Sequence, residues 1–294
     1  MNEPSRFSHD FLIKSASTSA VFIALILVGG KYAAWIYTGS LSVKASLIDS
    51  LLDALASAIN FWAVRHAMRP PDACHRFGHE KVEALASLAQ SIIIAGTALW
   101  LVWEVFLRLF DVSPIHYSDL AMWVMVGSTL LTAFLVWWQH YVVKHTKSLA
   151  IMVDALHYKT DILTNLGVLV TILLSTLCNL ALIDTLIGAS IAGYILITSW
   201  RIGKTACDVL MDKELSAETR QTIIQIALQR PEVKGVHELR TRQAGPKKFI
   251  QLHLDLDEDM ILKDAHKIAE SVEEDIISHY PKAEVIIHQD PVRS

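Results

Sequence analysis

Asp49 and Asp53 stand four residues apart in the segment S-L-I-D-S-L-L-D, and His157 and Asp161 stand four apart in D-A-L-H-Y-K-T-D. Residues i and i+4 of a helix share one face, one turn apart. Each segment therefore offers two oxygen or nitrogen donors pointing the same way. Two such helices side by side present four donors to one point, a tetrahedral set suited to zinc. Both segments lie within apolar runs long enough to cross a bilayer. An ionisable group at mid-membrane costs roughly 2.5–3.5 kcal/mol on insertion scales, so four left alone cost on the order of 10 kcal/mol. They must pair, protonate or hold a cation. A purely structural polar cluster is the competing reading, and the matched spacing and ligand types in both segments favour the metal.

The donor types narrow the chemistry. Imidazole suits zinc, whereas an all-carboxylate set suits harder ions such as manganese. Cd2+, Fe2+ and Co2+ also fit, and affinity order alone does not exclude them. A ligand must lose its proton to bind metal, so binding releases protons. An ordinary imidazole titrates at about 6.5, which makes His157 the natural exchanger. Asp154, one turn before His157, is a candidate for the ion's path inward. Four protein ligands leave no open position for water, which speaks against a hydrolytic zinc enzyme. They also bind too tightly for the fast conduction of a channel.

Two further sets lie outside the apolar runs. In R-P-P-D-A-C-H-R-F-G-H-E-K, Asp72, His75 and His79 can converge on one metal. Pro70 and Pro71 break a helix there, and on spacing alone a solvated loop with scattered histidines competes with a metal site. Cys74 lies among the three and is left out of the set. The last third of the chain holds His237, His253, His266 and His288, with Asp290. In F-I-Q-L-H-L-D-L-D, His253 shares a strand face with Gln251, Asp255 and Asp257, opposite the leucines. His288 and Asp290 share a face of a later strand. These residues suggest a binuclear site bridged by Asp290. His9, His66, His116, His140, His145 and His279 show no partner pattern and read as structural or solvated.

The elements that position these residues follow from composition. The 294 residues are 52% hydrophobic and 19% charged, and the enrichment is uneven. Residues 1–210 read as a transmembrane domain and 211–294 as an ordinary soluble domain. Six stretches are apolar enough to span, roughly 13–37, 42–67, 80–109, 118–142, 149–175 and 180–207. Trp35, Tyr37, Trp103, Tyr117, Trp123 and Trp200 sit near predicted span ends, as interfacial aromatics do. The 65–81 and 143–148 connections carry Arg65, Arg69, Arg76, Lys81, Lys144 and Lys147, while the 38–41 and 176–184 connections carry no basic residue. The basic loops face the cytoplasm, which puts both termini and the tail there. The first ten residues are polar and no cleavable signal is expected. Three isolated cysteines without a CxxC pair argue against a disulfide framework or a thiolate site. A net charge of −4 without a basic, aromatic-interleaved patch argues against nucleic acid.

The tail reads as α-β-β-α-β. Ser216 caps a helix to about Gln229, with Pro231 beyond it. Strands are expected at Val236–Arg242, Phe249–Asp257 and Glu284–His288, with a turn at Ala244-Gly245-Pro246. Ala265, Ile268, Ala269, Val272 and Ile276 mark a helix over 262–279. Three strands with two helices on one face make a small α+β domain.

These residues carry a resemblance. The D-x-x-x-D and H-x-x-x-D pairs look like the transport site of the cation diffusion facilitator family. S-L-I-D-S-L-L-D, R-F-G-H-E-K, D-A-L-H-Y-K-T-D, L-R-T-R-Q-A-G-P and I-I-H-Q-D-P are similar to its bacterial ferrous-iron efflux branch. The similarity covers nearly the whole chain. It implies a six-span α-helical membrane protein with a cytoplasmic, metallochaperone-like αββαβ tail. It further implies a homodimer in the bacterial inner membrane that exports zinc against protons, with metal also bound at Asp72, His75 and His79 and in the tail. A charge interlock between Lys81 and Asp212 is implied too. Relatives often carry Cys two residues after the aspartate of H-Q-D-P, where this chain has Val292, so any contribution from that position is lost. A membrane-anchored metal sensor, with its function in the tail, is the competing class. The intramembrane quartet favours the exporter, because a sensor has no reason to ionise its bilayer core.

Overall fold

The computed structural model describes residues 6–38, 41–108, 119–177 and 181–292. Two compact units divide at Cys207/Asp208. The first is all helix: α1 (Arg6–Thr38), α2 (Leu41–Ala67), α3 (Lys81–Arg108), α4 (Asp119–Thr146), α5 (Leu149–Leu177) and α6 (Ala181–Leu210). Each expected span falls on one of these helices and, except in α1, starts within a residue of it; residue 80 precedes α3, and the expected span residues 109, 118 and 180 lie outside the described residues. By length and hydropathy, three of the described segments qualify as membrane spans, namely His9–Tyr37, Ser46–Ala67 and Lys81–Leu107.

Helix α5 is central to the packing of this unit. Val153 and Leu156 pack with Ile94 and Ala98 of α3 and Ile195 and Ile202 of α6. Ala150 and Ile151 pack with Ala16, Val64 and Val142. Tyr158 packs with Ala20, Ile23 and Leu135. Ala16, Ala20 and Ala24 of α1 are all buried. That four-residue spacing of small side chains lets helix backbones approach closely in an apolar solvent, where dispersion rather than hydrophobicity drives association.

The second unit holds α7 (Ala217–Ala227), β1 (Gly235–Ala244), β2 (Lys247–Asp257), α8 (Leu262–His279) and β3 (Ala283–Val292). The Ser216 hydroxyl caps α7 by accepting from the Thr219 N–H at 3.3 Å. The sheet order is β1-β2-β3, antiparallel then parallel. Parallel pairing requires a crossover, which α8 supplies. Ile250, Leu252, Leu254 and Leu256 are buried against Ile223, Val272 and Ile276 of the two helices. The opposite sheet face is left to the polar residues of β2.

Observed strands are longer than expected, most of all β3, which reaches Val292. Pro291 is compatible with this because β3 is an edge strand, where a missing N–H costs no ladder bond on the open side. Gly245, at φ 55, makes the turn between β1 and β2.

Candidate metal centres

Asp53, His157 and Asp161 converge from α2 and α5, with one ligand atom of each within 4.8 Å of the others. His157 Nε2 lies 2.9 Å from Asp53 Oδ1. Asp49 stands one turn earlier on α2, exposed on the single chain and outside this group of three. It remains close enough to act electrostatically on Asp53. The structure therefore brings three of the four expected donors together and leaves the fourth on the same helix.

Lys31 near this centre was not read from the sequence, and Asp154, expected on the ion's path inward, is instead bound up in contacts between helices. Lys31 of α1 donates to the Ser46 carbonyl at 3.2 Å and to the Ser50 hydroxyl at 2.6 Å. The carboxylates of Asp53, Asp161 and Asp49 all act on it. Its signal was available, since beyond Lys14 at the edge it is the one cation in the apolar run 13–37. Asp154 is fully buried. It accepts from Gln139 Nε2 at 2.6 Å and from the Ser57 hydroxyl at 3.4 Å. Ser57 in turn bonds the Tyr158 hydroxyl at 2.7 Å. Asp154 thus ties α2, α4 and α5 together one turn before His157.

The first turn of α5 is held from α3. Glu83 Oε1 accepts from the Ser148 hydroxyl at 2.5 Å and from the Ala150 N–H at 3.1 Å. A carboxylate there satisfies an otherwise orphaned donor and complements the positive end of the helix dipole.

In the loop, Asp72, His75 and His79 also form a group within 4.8 Å. Asp72 Oδ1 accepts the Cys74 and His75 N–H groups at 2.9 and 2.7 Å. The His75 N–H, with the Cys74 N–H and the neighbouring imidazoles adding to it, holds the Asp72 carboxyl below its usual range despite some desolvation. His79 is 8% exposed, and its Nδ1 has no hydrogen-bond partner.

The third group forms on the polar sheet face. His237 pairs in register with His253, and His253 with His288, so one histidine from each strand stands in a row. Asp290 lies among them, with Oδ2 2.7 Å from His253 Nδ1 and 3.2 Å from His237 Nε2, and Oδ1 3.2 Å from His288 Nε2. Asp255 Oδ1 sits 3.2 Å from His237 Nδ1 and orients that ring. The hydrogen bond from His253 leads the causes that hold Asp290 below the usual carboxylate range, followed on the same side by the charges of His288, His253 and His237. His266 is exposed on α8 and is not in the group of His237, His253 and Asp290.

A bulge makes the row possible. From the turn, Thr241 pairs with Ile250 and Arg240 with Gln251. Continued unbroken, that register would set Glu238 opposite His253. One extra residue between His237 and Arg240 sets His237 there instead. Glu238 takes the left-handed φ of 45 that such a bulge demands.

All three groups fit a metal of zinc's kind by donor chemistry and spacing. Two imidazoles bound tetrahedrally to one zinc at about 2.0–2.1 Å have ring centroids roughly 5.2 Å apart. The His75–His79 rings are 4.7 Å apart, His237–His253 5.1 Å and His253–His288 4.7 Å.

Comparison with known proteins agrees with this organisation. Residues 17–211 match the model of the cation efflux transmembrane domain, and 215–292 that of the cation efflux protein cytoplasmic domain. The cation-efflux pump FieF of Pectobacterium atrosepticum is 41% identical over 281 residues, covering 96% of this chain and 93% of that one. FieF of Cronobacter sakazakii is 42% identical over 286 residues, covering 97% and 95%. Among solved structures, a metal-bound C-terminal domain of the CzcD transporter from Thermotoga maritima is 28% identical, with TM-score 0.25, over 25% of this chain and 87% of that one. With both family models and near full-length relatives in agreement, the chain belongs to the cation efflux family, multi-pass membrane transporters of divalent metal cations rather than enzymes.

Proposed function

We propose that this transporter exports Zn2+ in exchange for protons, by alternating access, holding the ion between Asp53, His157 and Asp161 with Asp49 joining from the same helix. The convergence of three donors from α2 and α5 carries the reading. Two carboxylates and an imidazole suit zinc better than a harder ion, and Cd2+, Fe2+ and Co2+ are the competing cargoes. Each ligand must be deprotonated to bind, so cargo loading releases protons and protonation from the far side ejects it. Basic loops support a cytoplasmic placement of both termini in an inner membrane.

Asp72, His75 and His79 would hold a second metal, and His237, His253, His288 and Asp290 would hold metal in the tail. Metal there cross-links three strands and stabilises the folded tail by mass action. Such stabilisation supports a sensing role, and the match to the cytoplasmic-domain model of cation efflux proteins supports the expected homodimer.

Flux of zinc, cadmium, iron(II) and manganese into proteoliposomes, with and without a pH gradient, tests the proposal. Wild type should favour zinc and respond to the gradient, and Asp53→Ala should abolish flux. Unchanged flux in Asp53→Ala would remove the central site, and flux indifferent to the gradient would remove the proton exchange.

A further inference from the structure

His66 carries no pattern in the sequence, yet the structure sets it beside the loop group. It lies on the last turn of α2, and its ring is 5.1 Å from that of His79, at 90°. The spacing expected for two imidazoles on one tetrahedral zinc is roughly 5.2 Å. The ring of His79 thus has a neighbour at this distance on each side, His75 at 4.7 Å and His66 at 5.1 Å.

Three observations favour a ligand over a bystander. Nδ1 of His66 is buried without a hydrogen-bond partner, whereas His79 already turns its Nε2 to Asp72, 3.2 Å away. Buried polar atoms are nearly always satisfied, so the orphan on His66 indicates a missing partner. Asp72, His75 and His79 supply three donors, whereas closed structural zinc sites take four. Trp62, one turn earlier on α2, stacks on His66 at 4.9 Å and 28°, so one face of the ring is already shielded from water. The donor atoms of His66 are not in the group within 4.8 Å, so binding requires a turn of its side chain.

We infer that His66 is the fourth ligand of the loop centre, making a site of one aspartate and three histidines that binds Zn2+ or Co2+ and ties the loop to the end of α2. The inference rests on the loop's binding metal at all. Cys74 is the rival fourth donor. Its exposed thiol belongs to the same loop, and its backbone N–H already serves Asp72.

Full-length protein in detergent, with Asp53, Asp161, His253 and Asp290 all changed to Ala, isolates the loop centre for Co2+ titration. The expected result is one cobalt with an intense tetrahedral visible spectrum and no thiolate-to-cobalt band in the near ultraviolet. His66→Phe should weaken binding at least about tenfold and dim the visible bands. An unchanged affinity and spectrum in His66→Phe, with binding lost in Asp72→Ala, overturns the role of His66 while sparing the loop site. A thiolate band that vanishes in Cys74→Ser overturns it in favour of Cys74. No cobalt bound before any change at His66 overturns the loop site itself, and the inference with it. X-ray absorption of the zinc-loaded protein counts imidazoles without any change at His66. Three support the inference, and two overturn it.

Discussion

Glu83→Ala isolates how firmly α5, the helix carrying His157 and Asp161, is held in place. The carboxylate makes two bonds, to the Ser148 hydroxyl and the Ala150 N–H. Hydrogen bonds to charged groups contribute about 1.5–3 kcal/mol each, and stranding a buried donor costs about 1–3 kcal/mol. Ala150 is fully buried, so its N–H gains little from water. The Ser148 hydroxyl can still accept from the Ile151 N–H, 3.4 Å away, but its own proton loses an acceptor and must rotate to find another. The loss for Glu83→Ala is therefore about 2–4 kcal/mol, including a share of the helix-dipole interaction. Glu83→Gln keeps a carbonyl acceptor and should lose only about 1 kcal/mol. A helical unit of this size shifts its melting temperature by about 2–4 °C per kcal/mol. Thermal unfolding in detergent should place Ala well below Gln, and Gln slightly below wild type. Metal affinity at the intramembrane centre should weaken in the same order, because a frayed first turn frees α5 to slide. An alanine variant that melts with wild type, or that binds cargo as tightly, refutes the reasoning.

Other perturbations separate the remaining parts. Lys31→Met removes a cation that competes with cargo for Asp49, Asp53 and Asp161, so zinc should bind more tightly in a dye-competition assay, and weaker binding would refute the competition. Ile276→Ala empties a fully buried position in the tail core and should destabilise the tail by about 2–5 kcal/mol, read by the tail's unfolding in urea. Asp290 has a depressed carboxyl, so its stabilising contribution is present above the ordinary carboxylate value and is lost as pH falls through the lower folded one. Metal-free protein should show this loss below about pH 4, and Asp290→Asn should abolish that part of the acid dependence. An acid profile identical in the two would sink the assignment.

Local periodicity made the helices and the faces of β2 legible. The i,i+4 pairs named Asp53, His157 and Asp161, and strand alternation named His253 with its polar neighbours. What stayed hidden depends on contacts between elements. Asp49 has the right spacing, yet spacing does not say which turn of α2 faces α5. Lys31 and Asp154 act through helices that meet only in the folded bundle. Glu83 lies 65 residues from its partner Ser148, and no local pattern links them. His66 looked like a bystander because its neighbour His79 belongs to a loop after two prolines. His266 matched a sequence pattern, but it is exposed on α8 and outside the group of His237, His253 and Asp290.

The bulge at Glu238 sets the arithmetic by which this tail can evolve. The proposed ligands His237, His253 and His288 sit one per strand on a single row, and each strand alternates its faces residue by residue. Any odd insertion or deletion between the turn at Gly245 and His237 hands the position opposite His253 to a neighbour. An even one keeps the face but moves the ligand about 7 Å along the strand, out of metal-binding reach. Descendants of this chain can therefore lengthen the turn after Ala244 or the connection before α8. Between the ligands and those connections, strand lengths must drift together or not at all.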